Sequence, residues 1–427
     1  MASISGSQFV ALAAEPVNVA ETSNGSHLPP PIAGDFNLEV WTGSGPPPQS
    51  PAPGYNGLAV LGAGGTSITL VSGAYEIQDL ATGGATDTLT ADGDAQTIAG
   101  GPGNNDVFIV NGTGDQVTGG GQDTIDVYGD HATVNGVGND LIQLVGDHES
   151  VNGGSGNDTI LVYSDSRHDT INAGSGADLI EVAGHHDFVD GNGGNDTILV
   201  LASANNDTIE AGGGRNTVIV NTSDNTVVGG SGNDTVDLNA SRTEYSGGSG
   251  RYMIEVNADK DTVIGGSGTG AIISNGDRDV LSAGTGGSDT IDVTGDRNTI
   301  SGGIVPSSAG GQITSFGNDD VINLGRSGTV LVGGSDDTVN AGTSPSGDFD
   351  TVTFSFGSQQ FADNGQVFAD TVVGFDQAAG DHIHLAAHDH VASTTAVNSG
   401  HDTLITLSDA STILLKGITH VDHSFFS

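Results

Sequence analysis

The sequence predicts an all-β fold, a parallel β-roll or β-solenoid of roughly 18-residue coils closed by a C-terminal β cap. Three observations carry this. An Asp or its substitute recurs before an apolar run at Asp106, Asp123, Asp140, Asp158, Asp178, Asp196, Asn216, Asp234, Tyr252, Gly270 and Asp289, at spacings of 17 to 20 residues. Each period holds two short stretches that alternate Ile, Val or Leu with polar residues, the period-2 signature of strands. Glycine makes up 70 of 427 residues against 13 Phe, 6 Tyr and 1 Trp, so a core of large rings is not expected. Fixed-period self-similarity of this kind marks a solenoid, in which each coil buries its apolar residues against the next.

The segments differ along the chain. Residues 1–57 are Pro/Gly-rich ("HLPPPIAG", "GSGPPPQSPAPG"), which predicts an extended segment with one short strand at Phe36–Trp41. Residues 58–345 form the repeat region. One strand of each coil follows a glycine-rich turn ("DTIDV", "DLIQL", "DTILV"). The other follows a polar turn and is shorter ("HATVNG", "HESVNG", "HDTINA"). Two such strands and two turns fill one coil, too narrow for large rings. From 346 to 427 the period is lost while alternation persists in "TLITLSDASTILLKGI". A cap is expected there, because a terminal coil otherwise exposes its strand edges.

Charge narrows the function. The net charge is −44, and 44 of the 53 acidic residues are Asp, a turn former and a short oxygen ligand. Nine Lys and Arg cannot build a phosphate-binding face, so nucleic acid is not an expected partner. The absence of Cys excludes disulfides and thiolate metal sites. No apolar run is long enough to span a membrane, and the N-terminus makes a poor Sec signal.

The stretch "GGSGNDTILV", 153–162, concentrates the chemistry. A phosphate loop would lead into a helix and usually carry Lys; this one leads into a strand among acids. A cation fits better. Glycines let the backbone turn its carbonyls inward, and Asp adds charge. Ca²⁺ takes six to eight oxygens, which one turn cannot supply but two stacked turns can. Mg²⁺ is disfavoured by its stricter octahedral geometry, and zinc by the lack of His and Cys in these turns.

"GGSGNDTIL" at 153–161 and "GGSGNDTVD" at 229–237 resemble the nonapeptide of RTX (hemolysin-type) calcium-binding repeats. "NGVGND", "AGSGAD" and "GNGGND" are near-matches. The resemblance implies a Ca²⁺-binding turn followed by a core strand. Carried over, the metal positions are Gly136, Gly138 and Asp140; Gly153, Gly154, Gly156 and Asp158; Gly174, Gly176 and Asp178; Gly191, Gly194 and Asp196; and Gly229, Gly230, Gly232 and Asp234, with Ile160 and Val236 in the core. Such repeats occupy both halves of a coil in a typical RTX roll, but only one half here. One row of sites along one edge is therefore expected, broken at Asn216, Tyr252 and Gly270.

The other turns carry His131, His148, His168, His185 and His186. We read these as offsetting neighbouring Asp; stacked on successive coils they would form a ladder, which leaves a metal site or pH switch as the alternative. His382, His384, His388 and His390 could hold Zn or Ni adventitiously. No HExxH, GxSxG or Cys nucleophile is present, so no enzyme is expected. The C-terminal "STILLKGITHVDHSFFS", with Asp422, Phe425 and Phe426, resembles an uncleaved type I secretion signal. Together these imply a secreted protein, exported by a type I ABC system, that folds on Ca²⁺ outside the cell. Its expected role is structural, in a surface layer, biofilm matrix or adhesin, touching polysaccharide or copies of itself. The alternative is an extracellular polysaccharide lyase or epimerase, for which Arg242–Tyr245 with Arg251–Tyr252 is the candidate patch.

Overall fold

A computed structural model describes residues 17–22, 31, 36–41, 57–60, 67–70, 76–79, 86–101, 105–286, 289–303, 311–324, 329–341, 351–354, 369–375, 381–385, 390–408, 410–421 and 425–426. Contacts divide the chain into two units, 1–209 and 210–427. Among the described residues the only helical element is a single 3₁₀ turn, Asn398–Gly400.

The first unit is a parallel β-solenoid. Each coil runs from a four-residue strand through a turn to a three-residue strand and back through a second turn. Thr159–Val162 and Thr170–Asn172 are one such pair. Successive coils stack in register: Ile142 lies beside Ile160 and Ile160 beside Ile180, while Val151 lies beside Ile171 and Ile171 beside Val189. The four-residue strands bury their second and fourth side chains. Ile142, Ile160 and Ile180 are fully buried in this way. Parallel pairing is sustained because both sheets turn one face to this shared interior.

Phe36–Trp41 is a strand, and Val17–Thr22 pairs parallel beside it. Phe36–Trp41 also pairs with Gly57–Val60, so the stacking begins ahead of the recognisable repeat. Short sequence periods were not visible there because prolines interrupt the connections, not the strands.

The second unit continues the same coil plan. Val236 lies beside Ile254 and Ile254 beside Ile272. The parallel pattern runs through Thr351–Phe354 to His382–Leu385. The pairing then changes: Val391–Val397, Asp402–Leu407 and Thr412–Lys416 form an antiparallel sheet, whose last strand joins Ala369–Val373 in parallel. Phe425 stacks on Phe375 at 5.5 Å between ring centroids. His388 and Asp422 lie outside the described residues.

Three rings correct the expectation that the interior is too narrow for them. Phe108 and Tyr245 are among the largest fully buried side chains, and Tyr252 is 5% exposed. Space comes from glycine. A β-carbon on Gly100 would lie 2.8 Å from Phe108 Cζ, and one on Gly270 would overlap the Tyr252 ring.

Candidate metal turns and the buried carboxylate ladders

The recurring Asp does not face water. Asp106, Asp123, Asp140, Asp158, Asp178 and Asp196 are all buried at one edge of the first unit. The reason is a backbone bond repeated from coil to coil. Asp123 N–H donates to Asp140 Oδ1, Asp140 N–H to Asp158 Oδ1 and Asp158 N–H to Asp178 Oδ1, each at 2.8 Å. Asp178 N–H donates to Asp196 Oδ1 at 3.0 Å. One carboxylate oxygen per coil is therefore spent joining it to its neighbour.

The other oxygen distinguishes the coils. Asp140 Oδ2, Asp158 Oδ2 and Asp178 Oδ2 are buried with no hydrogen-bond partner. An orphaned buried anion is costly. Burial pushes the Asp158 carboxyl up to about 7, with the Asp178 and Asp140 charges adding to it. Burial likewise raises Asp140 and Asp178, and Asp196 to about 6.

The glycines make a place beside these oxygens. A β-carbon on Gly136 would lie 2.5 Å from both Asp140 Oδ2 and Gly153 O. One on Gly153 would lie 2.7 Å from Asp158 Oδ2 and against Ala173 O. Each place thus brings together a carboxylate oxygen from one coil and a carbonyl oxygen from the next, at separations close to the roughly 2.3–2.6 Å of calcium–oxygen bonds. Later in the same turn Gly156 has φ 136° and Gly176 φ 154°, and a β-carbon on Gly176 would collide with Gly156 O. Only glycine lets the coils close there. Gly138, Gly154, Gly174 and Gly194 also adopt positive φ; Asn192 does so where Gly174 stands one coil earlier, while Gly191 is buried at the turn's start. Among the described residues no three His, Cys, Asp or Glu side chains gather about one point. A cation here would draw most of its ligands from backbone, as the paired oxygens suggest for a hard ion.

Other coils satisfy the same oxygen internally. Asp123 Oδ2 accepts Gly120 N–H at 2.7 Å and Gly121 N–H at 3.2 Å. In the second unit Asn216 donates its side-chain N–H to Ala211 O at 2.9 Å. Tyr252 stands at an Asp position, crosses over Gly270 and donates to Ala283 O at 2.9 Å. At 229–234, one of the two full nonapeptides, Gly230 has φ 87° and Gly232 packs on Gly214 O, as in the other turns. The place beside Gly229 holds something else. A β-carbon there would lie 2.5 Å from the Tyr245 hydroxyl and 3.5 Å from Asp234 Oδ2. No feature of the nonapeptide announces this, because Tyr245 precedes the following turn.

The candidate polysaccharide patch is not formed. Tyr245 and Tyr252 are 2% and 5% exposed, so neither ring can stack on a sugar. Arg242 is engaged by Asp224, its Nε 2.6 Å from Asp224 Oδ1 and Nη2 2.8 Å from Oδ2.

The opposite edge carries a second carboxylate ladder that the sequence reading missed. In the first unit Glu149 N–H donates to Asp169 Oδ1 at 2.8 Å, and Asp169 N–H to Asp187 Oδ1 at 2.9 Å. In the second unit Asp261, Asp279, Asn298, Asp320, Asp337 and Asp370 continue the same pattern within it. The signal was the Asp or Asn closing each polar turn, as in "SRHD" and "GDRD". Those acids read as exposed because their neighbours are. On three rungs a serine hydroxyl takes the second oxygen: Ser166 on Asp169, Ser274 on Asp279 at 2.8 Å and Ser315 on Asp320. Asp187, Asp261, Asp337 and Asp370 keep a buried Oδ2 with no hydrogen-bond partner.

This second ladder sets a pH dependence. Burial, with the Asp370 and Asp320 charges, pushes Asp337 up to about 8; burial pushes Asp370 and Asp261 to about 7. A carboxyl whose pKa is raised by folding favours the fold when protonated. Its stabilisation is complete below the ordinary carboxylate range and is lost as pH rises through about 7 to 8. Acidifying the calcium-free protein from pH 8 to pH 5 should therefore raise its thermal midpoint; a fall would contradict the buried second ladder.

Residues 136–160, 163–198 and 201–236 match the family model described as RTX calcium-binding nonapeptide repeat (4 copies). Neither the curated proteins nor the solved structures contain a match to the chain. No helix among the described residues is long and apolar enough to cross a membrane. The turns that place a buried carboxylate against a neighbouring carbonyl lie within the matched stretches, and those stretches accordingly carry RTX nonapeptide repeats, which are calcium-binding motifs.

Proposed function

We propose that this is a secreted, non-catalytic structural protein whose coils lock together on Ca²⁺ outside the cell. The observation that carries the reading is the orphaned Oδ2 of Asp140 and Asp158 beside glycine turns and carbonyls of neighbouring coils. Asp140, with Gly153 O, and Asp158, with Ala173 O, would hold the ion. Calcium supplies two positive charges, which offset the buried carboxylates and tie successive turns together.

The chain's own residues do the rest. The Asp Oδ1 bonds fix register, the glycines exclude side chains from the turn, and the Ile and Val columns close behind it. Without the ion, a net charge of −44 and the stacked carboxylates destabilise the closed coils, which favours the extended chain needed for passage through a type I exporter. The C-terminal "STILLKGITHVDHSFFS" supports that route by its resemblance to such signals. The many small and acidic outward side chains suit a surface-layer, matrix or adhesin role, with polysaccharide or further copies as partners.

Circular dichroism during Ca²⁺ titration after EGTA tests the reading. β signal should grow with Ca²⁺ and not with equal Mg²⁺. Equal β content without Ca²⁺, or free substitution by Mg²⁺, would overturn it.

Two substitutions sharpen this. Asp158→Asn keeps the Oδ1 acceptor and copies Asn216, whose amide closes its own turn. It should raise the midpoint in EGTA by removing a buried charge, and lower it in Ca²⁺ while weakening binding on the order of tenfold, a loss of about 1.4 kcal/mol. Tyr245→Val restores the residue type of its neighbours Val227 and Val263. It should add one bound Ca²⁺ per chain, measured by equilibrium dialysis, because the place beside Gly229 is opened.

A further inference from the structure

On the second edge of the first unit, the turn residue before each buried ladder acid is left-handed. His148, His168 and His186 occupy this position on successive coils, and His131 the equivalent one before buried Ala132, with φ between 60° and 66°. Their side chains are exposed. The fixed backbone and in-register stacking hold the rings in one column. Centroids are 5.0 Å apart for His131–His148, 5.2 Å for His148–His168 and 5.0 Å for His168–His186.

The ring angles separate the pairs. His131 and His148 are parallel within 5°, so their planes, which contain the nitrogen lone pairs, do not converge. His148 and His168 are tilted by 39°, and His168 and His186 by 44°. Those planes intersect, so one ion can lie in both.

The spacing also fits. With a zinc–nitrogen bond of about 2.0–2.1 Å and a ring nitrogen about 1.1 Å from its centroid, an ion sits about 3.2 Å from each centroid. Centroids 5.0 and 5.2 Å apart then subtend about 100–110° at the ion, near the tetrahedral angle. Imidazole suits Zn²⁺, Cu²⁺ and Ni²⁺ and is a poor ligand for Ca²⁺. In the adjacent column Asp147, Arg167, His185 and Asn205 stand beside these rings, and Arg167 is its one permanent cation.

We propose that His148, His168 and His186 form a binding site for a borderline divalent transition ion such as Zn²⁺, separate from the calcium turns. Each ion is chelated by two adjacent imidazoles, with His168 shared between the two possible pairs. Because no three acidic or imidazole side chains converge, water completes the coordination. The column gives a second metal chemistry to the edge that lacks nonapeptides.

The test uses the full chain saturated with Ca²⁺ and titrated with Zn²⁺ by calorimetry, with Co²⁺ absorption reporting geometry. Asn is the chosen replacement because Asn206 holds the same position at φ 57°. His168→Asn should weaken the tightest Zn²⁺ binding at least tenfold and remove the tetrahedral Co²⁺ bands. His131→Asn should change neither. Calcium stoichiometry should stay constant in both, showing that the coils remain folded. The proposal is overturned if no Zn²⁺ binds, if His131→Asn is as damaging as His168→Asn, or if His382→Asn with His384→Asn abolishes the binding instead.

Discussion

Most coils of the repeat region face one constraint: a buried carboxylate ties each to the next. The Asp Oδ1 accepts a backbone N–H across the coil boundary, and no outward-facing side chain could do so. The backbone bond is favourable, but the second oxygen arrives buried and charged, where an unpaired anion is heavily penalised. The architecture follows from how each coil answers that cost.

The answers differ by position and by edge. Asp123 takes N–H groups from its own turn. Asn216 removes the charge and donates to its own turn. Tyr252 replaces the carboxylate with a hydroxyl that reaches past Gly270. On the second edge serine hydroxyls serve Asp169, Asp279 and Asp320. Asp140 and Asp158 have none of these, and their turns present a neighbouring carbonyl to the bare oxygen. The second edge answers with hydroxyls on three rungs and elsewhere leaves a bare oxygen, where burial pushes the Asp187, Asp261, Asp337 and Asp370 carboxyls upward.

Glycine and aromatic content are coupled by the same geometry. Coils stacked as parallel strands lie about 4.8 Å apart, too close for a β-carbon at the carbonyl crossings. Where glycine opens a gap, a ring enters it, as Tyr252 does over Gly270 and Phe108 beside Gly100. The absence of Asp at 252 and at 270 is therefore coupled: the tyrosine needs the glycine beside it.

Period, strand alternation, coil length and the calcium character of the nonapeptides were all legible in the amino-acid order. Each is a local pattern: Ile160 declares its face by alternation, and Gly153–Asp158 declare a turn by composition. Three features depended on the stacked coils. Whether Asp158 points inward or outward is decided by the N–H of Asp140, 18 residues earlier. Whether the turn at 229–234 has room for an ion is decided by Tyr245, a residue of the next coil. That His168 meets both His148 and His186 is decided by in-register pairing that places residues 18 to 20 apart side by side. Sequence determined the repeating unit, because its turns and strands are built from contiguous residues. Tertiary structure alone decided the chemistry of each rung, because every rung is completed by atoms from a neighbouring coil.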